Sequence, residues 1–296
     1  MRNIIIDTDT ATDDAIAIIM ALKNKNFDVK AITTVAGNVD VELATNNALY
    51  VCELCKKNIP VFKGESHPLK RKLQTSKFFH GKDGLGDTGP YIPSSKAEKK
   101  NAIDLIISLV NDFPKEIEII GIGPLTNIAK AFIKDPSIIK KIKTLYVMGG
   151  VGEGKGNITE FAEFNFWVDP DAAEIVLNSN LKIKIVAWDT TQSYGFLDKS
   201  NFQELSKINT VVSNFAINIQ RRGLEYYIKH YNEYKIDLAD PLAMSVMIND
   251  SQVIYKNCNI SIIKDGVERG KDIINYNEKG NIQLAAQLSR SNFLNI

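Results

Sequence analysis

The chain has 296 residues, of which 44% are hydrophobic and 24% are charged, and its formal net charge is +1. These values are ordinary for a soluble globular protein that is long enough to bury a large core without disulfides. A net charge near zero gives no electrostatic reason to expect nucleic acid or a membrane surface as a partner. The longest apolar run, Ala15 to Leu22, is far too short to span a bilayer.

Short apolar runs rich in β-branched residues alternate with longer helical patterns. The predicted buried strands are Asn3–Ile6, Val29–Val35, Ile117–Ile122, Thr144–Met148 and Lys182–Ala187. The predicted helices are Asp13–Asn24, Val41–Lys57, Ala102–Asn111, Thr126–Lys134 and Pro170–Ser179. This alternation predicts an α/β fold with an open, mostly parallel, Rossmann-like sheet covered by helices on both faces.

The last third of the chain differs in pattern. A helical stretch is predicted from about Thr210 to His230, and another helix begins near Asp240. From Gln252 onward the residues favour strands, and Asp265-Gly266 offers a hairpin turn between two of them. We therefore expect a small antiparallel edge on the main sheet.

No repeat, low-complexity tract or linker divides the sequence, so residues 1–296 are predicted to form a single domain. The least regular segment is Lys63–Lys96, which is rich in Gly, Pro, Ser and Lys. Long irregular segments in compact domains are often active-site lids, and they are equally often solvated surface loops. Both interpretations stay open at this point.

Three cysteines, an odd number, argue against a disulfide framework and for a reducing compartment. Cys52 and Cys55 form a CxxC pair in a helical run, but no second pair or nearby histidine completes a zinc site, so we interpret them as packing residues. The N-terminus enters a predicted strand at once, without the features of a signal peptide. We expect a cytoplasmic protein.

Four carboxylates, Asp7, Asp9, Asp13 and Asp14, lie within eight residues where the first strand ends and the first helix begins. In an open α/β sheet this edge is where ligands bind. Acids this close repel one another and raise one another's pKa unless a positive charge lies among them. Helix capping explains one of the four but not all, so a divalent cation is the simpler interpretation.

The oxygen-only ligand set favours a hard cation, either Ca²⁺ or Mg²⁺. Asp240 begins a late helix and could complete the cluster across the fold, although a helix N-cap would also explain it. Other polar side chains follow predicted strands or lie in polar segments, namely Asn38, Asn157, Glu163 and Asn165. Amides combined with a carboxylate suit a polyhydroxylated ligand such as a sugar.

Together these segments resemble the inosine-uridine nucleoside hydrolase family, over essentially the whole chain. Asp7-Thr8-Asp9-Thr10-Ala11-Thr12-Asp13-Asp14 resembles the DxDxxxDD signature of that family. Gly123-Pro124-Leu125-Thr126-Asn127 resembles its GPLTN turn, and Met148-Gly149-Gly150 its MGG block. Ala162-Glu163-Phe164-Asn165 and Asp169-Pro170 resemble its AEFN and DP blocks, in the expected order.

The resemblance implies Ca²⁺-dependent hydrolysis of the N-glycosidic bond of ribonucleosides in a nucleoside hydrolase fold. It implies that Asp9, Asp14 and Asp240 hold Ca²⁺ by their carboxylates, and that Ile122 adds its backbone carbonyl. Asp9 would also be the catalytic general base, and Asp7 would support the cluster from behind. The substrate-binding residues would be Asp13, Asn38, Met148, Asn157, Glu163 and Asn165. A small-molecule ribonucleoside would be the partner, and a homodimer or homotetramer the assembly.

One position departs from the best-known branch of the family, in which a histidine precedes the late metal-binding aspartate and protonates the leaving base. This chain has Ala239 there, which has no proton to donate. The candidate replacements are His80, Tyr227, His230 and Tyr231, and Trp188 could stack on a base. Each of these five side chains could equally be a packing or surface residue.

Two other functions compete with nucleoside hydrolysis. Asp7-Thr8-Asp9 after the first strand also satisfies the DxD pattern of Mg²⁺-dependent phosphatases of the haloacid dehalogenase type, although that chemistry needs Thr or Val at position 11, where this chain has Ala11. The second alternative is a nucleoside- or ribose-binding protein without catalysis, which Ala239 favours.

Overall fold

In the computed structural model, residues 1–294 are described and alternate between strands and helices. The strands are β1 (Arg2–Thr8), β2 (Phe27–Thr34), β3 (Val61–Lys63), β4 (Ile117–Gly121), β5 (Thr144–Met148), β6 (Ile183–Val186), β7 (Phe196–Asp198), β8 (Lys235–Asp237), β9 (Ile254–Ile262), β10 (Asp272–Tyr276) and β11 (Ile282–Gln287). The helices are α1 (Thr12–Lys23), α2 (Val41–Leu54), α3 (Lys77–His80), α4 (Ala102–Asp112), α5 (Thr126–Lys134), α6 (Phe164–Val168), α7 (Pro170–Leu177), α8 (Trp188–Tyr194), α9 (Lys199–Ile208), α10 (Val211–Ile219), α11 (Arg221–Tyr231), α12 (Ala239–Ile248) and α13 (Arg290–Leu294).

Nine of these strands form one sheet in the order β10-β9-β11-β6-β5-β4-β1-β2-β3. Every pairing from β11 across to β3 is parallel, whereas β9 is antiparallel to both of its neighbours. The predicted mostly parallel sheet with a small antiparallel edge is therefore confirmed. β7 and β8 form a separate antiparallel pair.

Strand β1 lies in the middle of the sheet and shows why both faces are covered. Its residues Ile4, Ile5 and Ile6 are fully buried, and successive side chains of a strand point to opposite faces. Ile4 and Ile6 belong to the core cluster that includes residues of α1, α2 and α12, whereas Ile5 belongs to the cluster that includes residues of α4, α5 and α7. A continuous apolar run, rather than an alternating one, is the sequence that such a two-sided position requires.

Tertiary contacts change two of the predicted elements. The predicted helix from Thr210 to His230 is two helices, α10 and α11, which are separated at Gln220. The Gln220 side-chain amide is buried and donates a hydrogen bond to the Thr12 backbone carbonyl over 3.0 Å. In the tail, β11 lies between β9 and β6, so the sheet gains a parallel strand as well as the expected hairpin.

The topology also determines where a ligand can bind. From β1 the chain continues to β2 and β3 on one side, and then returns to place β4 on the other side of β1. The crevice beyond the carboxyl ends of β1 and β4 is the switch point at which open α/β sheets bind ligands. The four N-terminal aspartates lie at this crevice, at the end of β1 and the start of α1. None of the helices described in residues 1–294 is long and apolar enough to cross a membrane.

Candidate active site

A cavity of about 540 Å³ opens at the carboxyl ends of the central strands. Most of the side chains that the sequence singled out line it. They are Asp13, Asn38, His80, Ile122, Met148, Asn157, Glu163, Asn165, Trp188, Tyr227, Tyr231 and Asp240. Asp7, Asp9 and Asp14 are completely buried. His230 is exposed on α11, where its ring stacks on Tyr226 at 4.2 Å, so it does not belong to the cavity wall.

Two of the four N-terminal aspartates come together with the late aspartate. Carboxylate oxygens of Asp13, Asp14 and Asp240 all lie within 4.8 Å of one another, although Asp240 lies far from the other two in the sequence. Asp14 also accepts hydrogen bonds from the Thr8 hydroxyl (2.6 Å) and the Ala11 backbone N–H (2.9 Å), which fix it at the start of α1. The helix-capping interpretation and the metal-ligand interpretation thus apply to the same side chain.

Only one of the two carboxylate oxygens of Asp9 accepts a hydrogen bond from the described residues. Its Oδ2 accepts the backbone N–H of Asn38 over 2.5 Å, whereas its buried Oδ1 has no hydrogen-bond partner within residues 1–294. Two glycines allow the surrounding backbone to approach this carboxylate. A Cβ atom at Gly37 would collide with the Asp9 carboxylate, and one at Gly123 would lie 2.9 Å from both the Asp9 backbone nitrogen and Oδ1.

Asp7 does not line the cavity and lies fully buried in β1. Its Oδ1 accepts hydrogen bonds from the Thr33 hydroxyl (2.6 Å) and from the Asn127 side-chain amide (2.7 Å). Asn127 also donates to the Thr34 carbonyl and accepts the Glu65 N–H. In the sequence, Asn127 is marked only as a member of the GPLTN motif, because a buried amide in a first helical turn has no distinctive local pattern.

Burial raises the pKa of every carboxyl group in the cluster. It raises the pKa of Asp7 to about 7 and that of Asp13 to about 6. The pKa of Asp9 is also raised, first by burial and then by the charge of Asp14, and the pKa of Asp240 is raised by burial and by the charges of Asp13 and Asp14. Without a compensating positive charge these groups therefore keep their protons to a higher pH than ordinary carboxyl groups do.

These observations fit a hard divalent cation. The donor set consists of oxygen atoms, and buried carboxylate oxygens of Asp9 and Asp13 lack hydrogen-bond partners within the described part of the chain. A cation would satisfy these oxygens and offset the burial that raises their pKa values. The side-chain amide of Asn165 lies 3.3 Å from the Ile122 carbonyl, so that this backbone oxygen also faces the site.

Hydrogen bonds hold Asn38 and Glu163 in place, and the partner of the Asn38 side chain is a residue that the sequence did not single out. Ser76, from the irregular segment before α3, donates its hydroxyl proton to the Asn38 side-chain oxygen over 2.5 Å. Glu163 is the N-cap of α6 and accepts the N–H groups of Asn165, Phe166 and Gly150. Burial raises the pKa of Glu163 to about 7. Ser76 lies in an irregular segment, where no periodic pattern marks it.

His80 comes from the same irregular segment, which therefore belongs to the site. Its Nδ1 forms a hydrogen bond of 2.6 Å with the Thr12 hydroxyl and lies 3.8 Å from Asp13 Oδ1. Burial lowers the pKa of His80 to about 4, although the charge of Asp14 opposes this effect. His80 is neutral at physiological pH, and one ring N–H is its only proton to donate.

The wall beyond His80 is aromatic. The Phe79 ring is 4.9 Å from that of His80 and 6.2 Å from that of Tyr227, which in turn lies 5.3 Å from Tyr231. Trp188 is mostly buried at the start of α8 and contributes one face to the cavity. A flat heterocyclic ligand would find stacking partners on this side.

Comparison with known proteins identifies the type of site. A family model described as inosine-uridine preferring nucleoside hydrolase matches residues 4–295. The chain belongs to this family. It is 34% identical to the inosine-uridine preferring nucleoside hydrolase of Crithidia fasciculata over 268 residues, which covers 88% of this chain and 83% of that protein.

Solved structures of nucleoside hydrolases share the fold. The plant nucleoside hydrolase PpNRh1 superposes with a TM-score of 0.95 at 31% identity, covering 99% of this chain and 96% of that one. A purine-preferring ribonucleoside hydrolase from Gardnerella vaginalis gives a TM-score of 0.93 at 30% identity, with the same coverage of 99% and 96%. This nucleoside hydrolase is accordingly an enzyme that acts on N-glycosyl compounds, with a buried carboxylate cluster that could hold a metal ion.

Proposed function

We propose that the chain is a Ca²⁺-dependent N-ribohydrolase that converts ribonucleosides to ribose and free base, with Asp9 as general base. The observation that carries this proposal is the cluster of carboxylates of Asp13, Asp14 and Asp240 in a cavity that is also lined by side-chain amides and aromatic rings. Asp9, Asp14 and Asp240 would hold the cation by their carboxylates and Ile122 by its carbonyl oxygen. Ca²⁺ suits this site better than Mg²⁺, because it accepts six to eight oxygen ligands in flexible geometry.

When bound, the cation supplies Lewis-acid chemistry that makes a water molecule easier to deprotonate near neutral pH. Asp9 is suited to take that proton, because Asn38 anchors Oδ2 while Oδ1 is left without a hydrogen-bond partner in the described residues. A carboxylate whose pKa is raised by burial is also a stronger base once it is ionised.

The remaining polar residues would bind the ribose. Asp13, Asn38 and Asn165 face the cavity beside the carboxylate group and would hydrogen-bond the sugar hydroxyls, with Met148 packed against them. Asn157 and Glu163 would lie toward the 5′-hydroxyl. As the glycosidic bond breaks, the ribose becomes positively charged, and the nearby carboxylates and amide oxygens would stabilise that charge.

The base must leave without the histidine that Ala239 replaces. We propose that the neutral imidazole of His80 donates a hydrogen bond to the base, since its Nδ1 is held by Thr12 and its ring lines the cavity. Tyr227, Tyr231 and Trp188 would contact the base as packing surfaces.

A reducing compartment such as the cytoplasm and a homodimeric or homotetrameric assembly belong to the same proposal. The three cysteines, Cys52, Cys55 and Cys258, are free and buried, in keeping with such a compartment. Size-exclusion chromatography with light scattering would measure the assembly directly.

Asp9→Asn tests the proposed chemistry while preserving the shape of the side chain. We expect kcat/KM for uridine and inosine to fall by about 10²- to 10⁴-fold, as for loss of a general base. Release of reducing sugar is the measurement. Asp104→Asn is the matched control, because Asp104 lies on α4 in an exposed ion pair with Lys134. Equal rates in Asp9→Asn and wild type would disprove the role of Asp9.

The same assay separates the alternatives. A phosphatase would release phosphate from phosphoesters and no ribose from nucleosides. A binding protein would take up nucleosides with measurable heat in calorimetry and release no sugar. Membership of the hydrolase family favours turnover over both outcomes.

A further inference from the structure

The cavity wall contains an ion pair, close to Ala239 in the sequence, that the proposed mechanism does not use. Strand β8 runs from Lys235 to Asp237, directly before Leu238, Ala239 and the carboxylate of Asp240. Residues two apart on a strand point to the same face, and both Lys235 and Asp237 line the cavity. The lysine is therefore in the same cavity as the proposed metal site.

The Lys235 ammonium is fixed by several contacts. Its Nζ lies 2.9 Å from Asp237 Oδ1 and 3.4 Å from the Gln192 carbonyl, and it is 4.6 Å from the centre of the Phe196 ring. The Lys235 side chain is 24% exposed. An ammonium group held in this way keeps its position without a substrate, which reduces the entropy lost on binding.

Asp237 connects this lysine with the aromatic wall. Its side chain is only 2% exposed, and its Oδ2 accepts the Tyr227 hydroxyl proton over 2.7 Å. Tyr227 packs against Phe79, the neighbour of His80. A buried ion pair is weak evidence for a contribution to stability, because removing two charges from water costs about as much as their attraction returns. The position of the Lys235–Asp237 pair at the cavity wall indicates a role in ligand binding or catalysis instead.

The other lysine that lines the cavity has a different environment. Lys155 is 81% exposed and pairs with Glu160 over 3.2 Å on the surface. Solvent screens an ion this exposed. Of the two lysines among the described cavity-lining residues, Lys235 is therefore the one that solvent screens less.

We propose that Lys235, held in place by Asp237, stabilises the negative charge of the departing base and takes over part of the task of the histidine that Ala239 replaces. This inference rests on the proposed hydrolase function. In the step, the C1′–N bond breaks and its electron pair goes to the base nitrogen. The water oxygen bonds to C1′ and its proton passes to Asp9. The base leaves as an anion beside the ammonium and takes a proton from solvent, to which Asp9 returns one.

The chemistry of the pair indicates a class of base. An ammonium donates hydrogen bonds to a carbonyl oxygen, and a carboxylate accepts them from a ring N–H. Uracil and hypoxanthine contain both groups next to each other, and their anions place negative charge on the carbonyl oxygens. Adenine has no carbonyl oxygen, so the assistance of Lys235 is expected to be smaller for adenosine.

Lys235→Met tests the role of the ammonium by comparing leaving groups. We expect kcat/KM for uridine and inosine to fall by about 10²-fold, as on loss of one electrostatic contact to a developing anion. The rate with 4-nitrophenyl riboside should change by less than about threefold, because nitrophenolate is already stable as an anion. Lys235→Arg keeps the charge and should retain most of the rate with uridine.

Lys30→Met is the matched control. Lys30 also pairs with an aspartate two residues away, Asp28, at 2.5 Å, is 26% exposed, and lies 5.3 Å from the Phe113 ring, but it is on β2 outside the cavity. Thermal unfolding of each variant excludes a loss of folding.

Two results would overturn the proposal: equal losses of Lys235→Met with uridine and nitrophenyl riboside, or unchanged rates with both. Absence of base release by the wild-type protein from every substrate, nitrophenyl riboside included, would instead refute the hydrolase function itself. The two failures are thus distinguishable.

Discussion

Asn38 illustrates how single residues organise this site. Its backbone N–H donates to Asp9 and its side-chain amide lies 3.3 Å from Asp14 Oδ2, so it contacts two carboxylates of the cluster. The amide has this orientation because Ser76 donates to its side-chain oxygen, and the Ser76 N–H donates to its backbone carbonyl. Ser76 is thus a positioning residue for a proposed ribose contact.

Ser76→Ala should leave the Asn38 amide free to rotate. One hydrogen bond contributes about 1 kcal/mol, so we expect kcat/KM for uridine to fall by about fivefold, mainly through a higher KM. Steady-state kinetics measure this effect, and Ser76→Thr, which restores a hydroxyl, should recover most of it. Ser206→Ala is the control, because Ser206 is exposed on α9 and bonds only locally to the Gln203 carbonyl. Wild-type kinetics in Ser76→Ala would contradict the role.

At the scale of elements, α5 connects the strands that carry the site. Its Asn127 donates to Asp7 at the end of β1 and to the Thr34 carbonyl at the end of β2, and it accepts the N–H of Glu65 in the irregular segment. The segment that contributes Ser76 and His80 is thereby attached to the sheet. The interpretation of this segment as part of the active site is favoured over that of a solvated surface loop.

Asn127→Ala should destabilise the protein by about 2–4 kcal/mol, because the buried Asp7 carboxylate and the Thr34 carbonyl each lose one hydrogen bond and the Glu65 N–H loses its acceptor. The midpoint of urea unfolding is the measurement. Asn111→Ala, on the exposed side of α4 with a long 3.5 Å contact to Asp135, should change the free energy of unfolding by less than about 0.5 kcal/mol. Equal effects of the two substitutions would contradict this account.

At the scale of the whole molecule, the proposed cation joins opposite ends of the chain. Asp9 and Asp14 flank the junction of β1 and α1, whereas Asp240 begins α12, and α1 and α12 pack against each other. A ligand that binds only the folded state stabilises it by mass action. The metal site is therefore expected to contribute to stability as well as to catalysis.

Chelation should reveal this contribution as a function of pH. The folded-state pKa values of Asp7, Asp13 and Glu163 are raised to about 7, 6 and 7, whereas unfolded carboxyls titrate near 4. Between these values the folded state binds more protons than the unfolded chain, so the stability of the chelated protein falls as pH rises from about 4 to about 7.

At pH 7.5, Ca²⁺ at about one hundred times its Kd should then add about 2.7 kcal/mol and raise Tm by roughly 5 °C. The shift should be smaller at pH 5, where protons compete for the carboxylates. Differential scanning calorimetry after EDTA treatment measures both values, with Mg²⁺ add-back as the comparison. If neither EDTA nor Ca²⁺ changes Tm at either pH value, the metal site is contradicted.

The sequence by itself determined the features that depend on neighbouring residues. Apolar runs alternating with helical periodicity specified a parallel α/β sheet, since burial on both faces requires continuous hydrophobic strands. Four aspartates at the end of β1 specified a site at the switch point, because they are adjacent in the chain. The motifs that follow in order were sufficient to indicate the family.

Only the tertiary structure decided the features that depend on distant residues. The approach of Asp240 to Asp14, the contact of Ser76 with Asn38 and the exclusion of His230 from the cavity depend on how elements pack. The break at Gln220 has the same origin, since its amide bonds to Thr12. Burial raises the pKa values of the carboxyls, and the fold places Lys235 beside Asp237. Both effects exist only in the folded chain. Local pattern therefore predicted the acids, whereas packing determined which of them line the cavity.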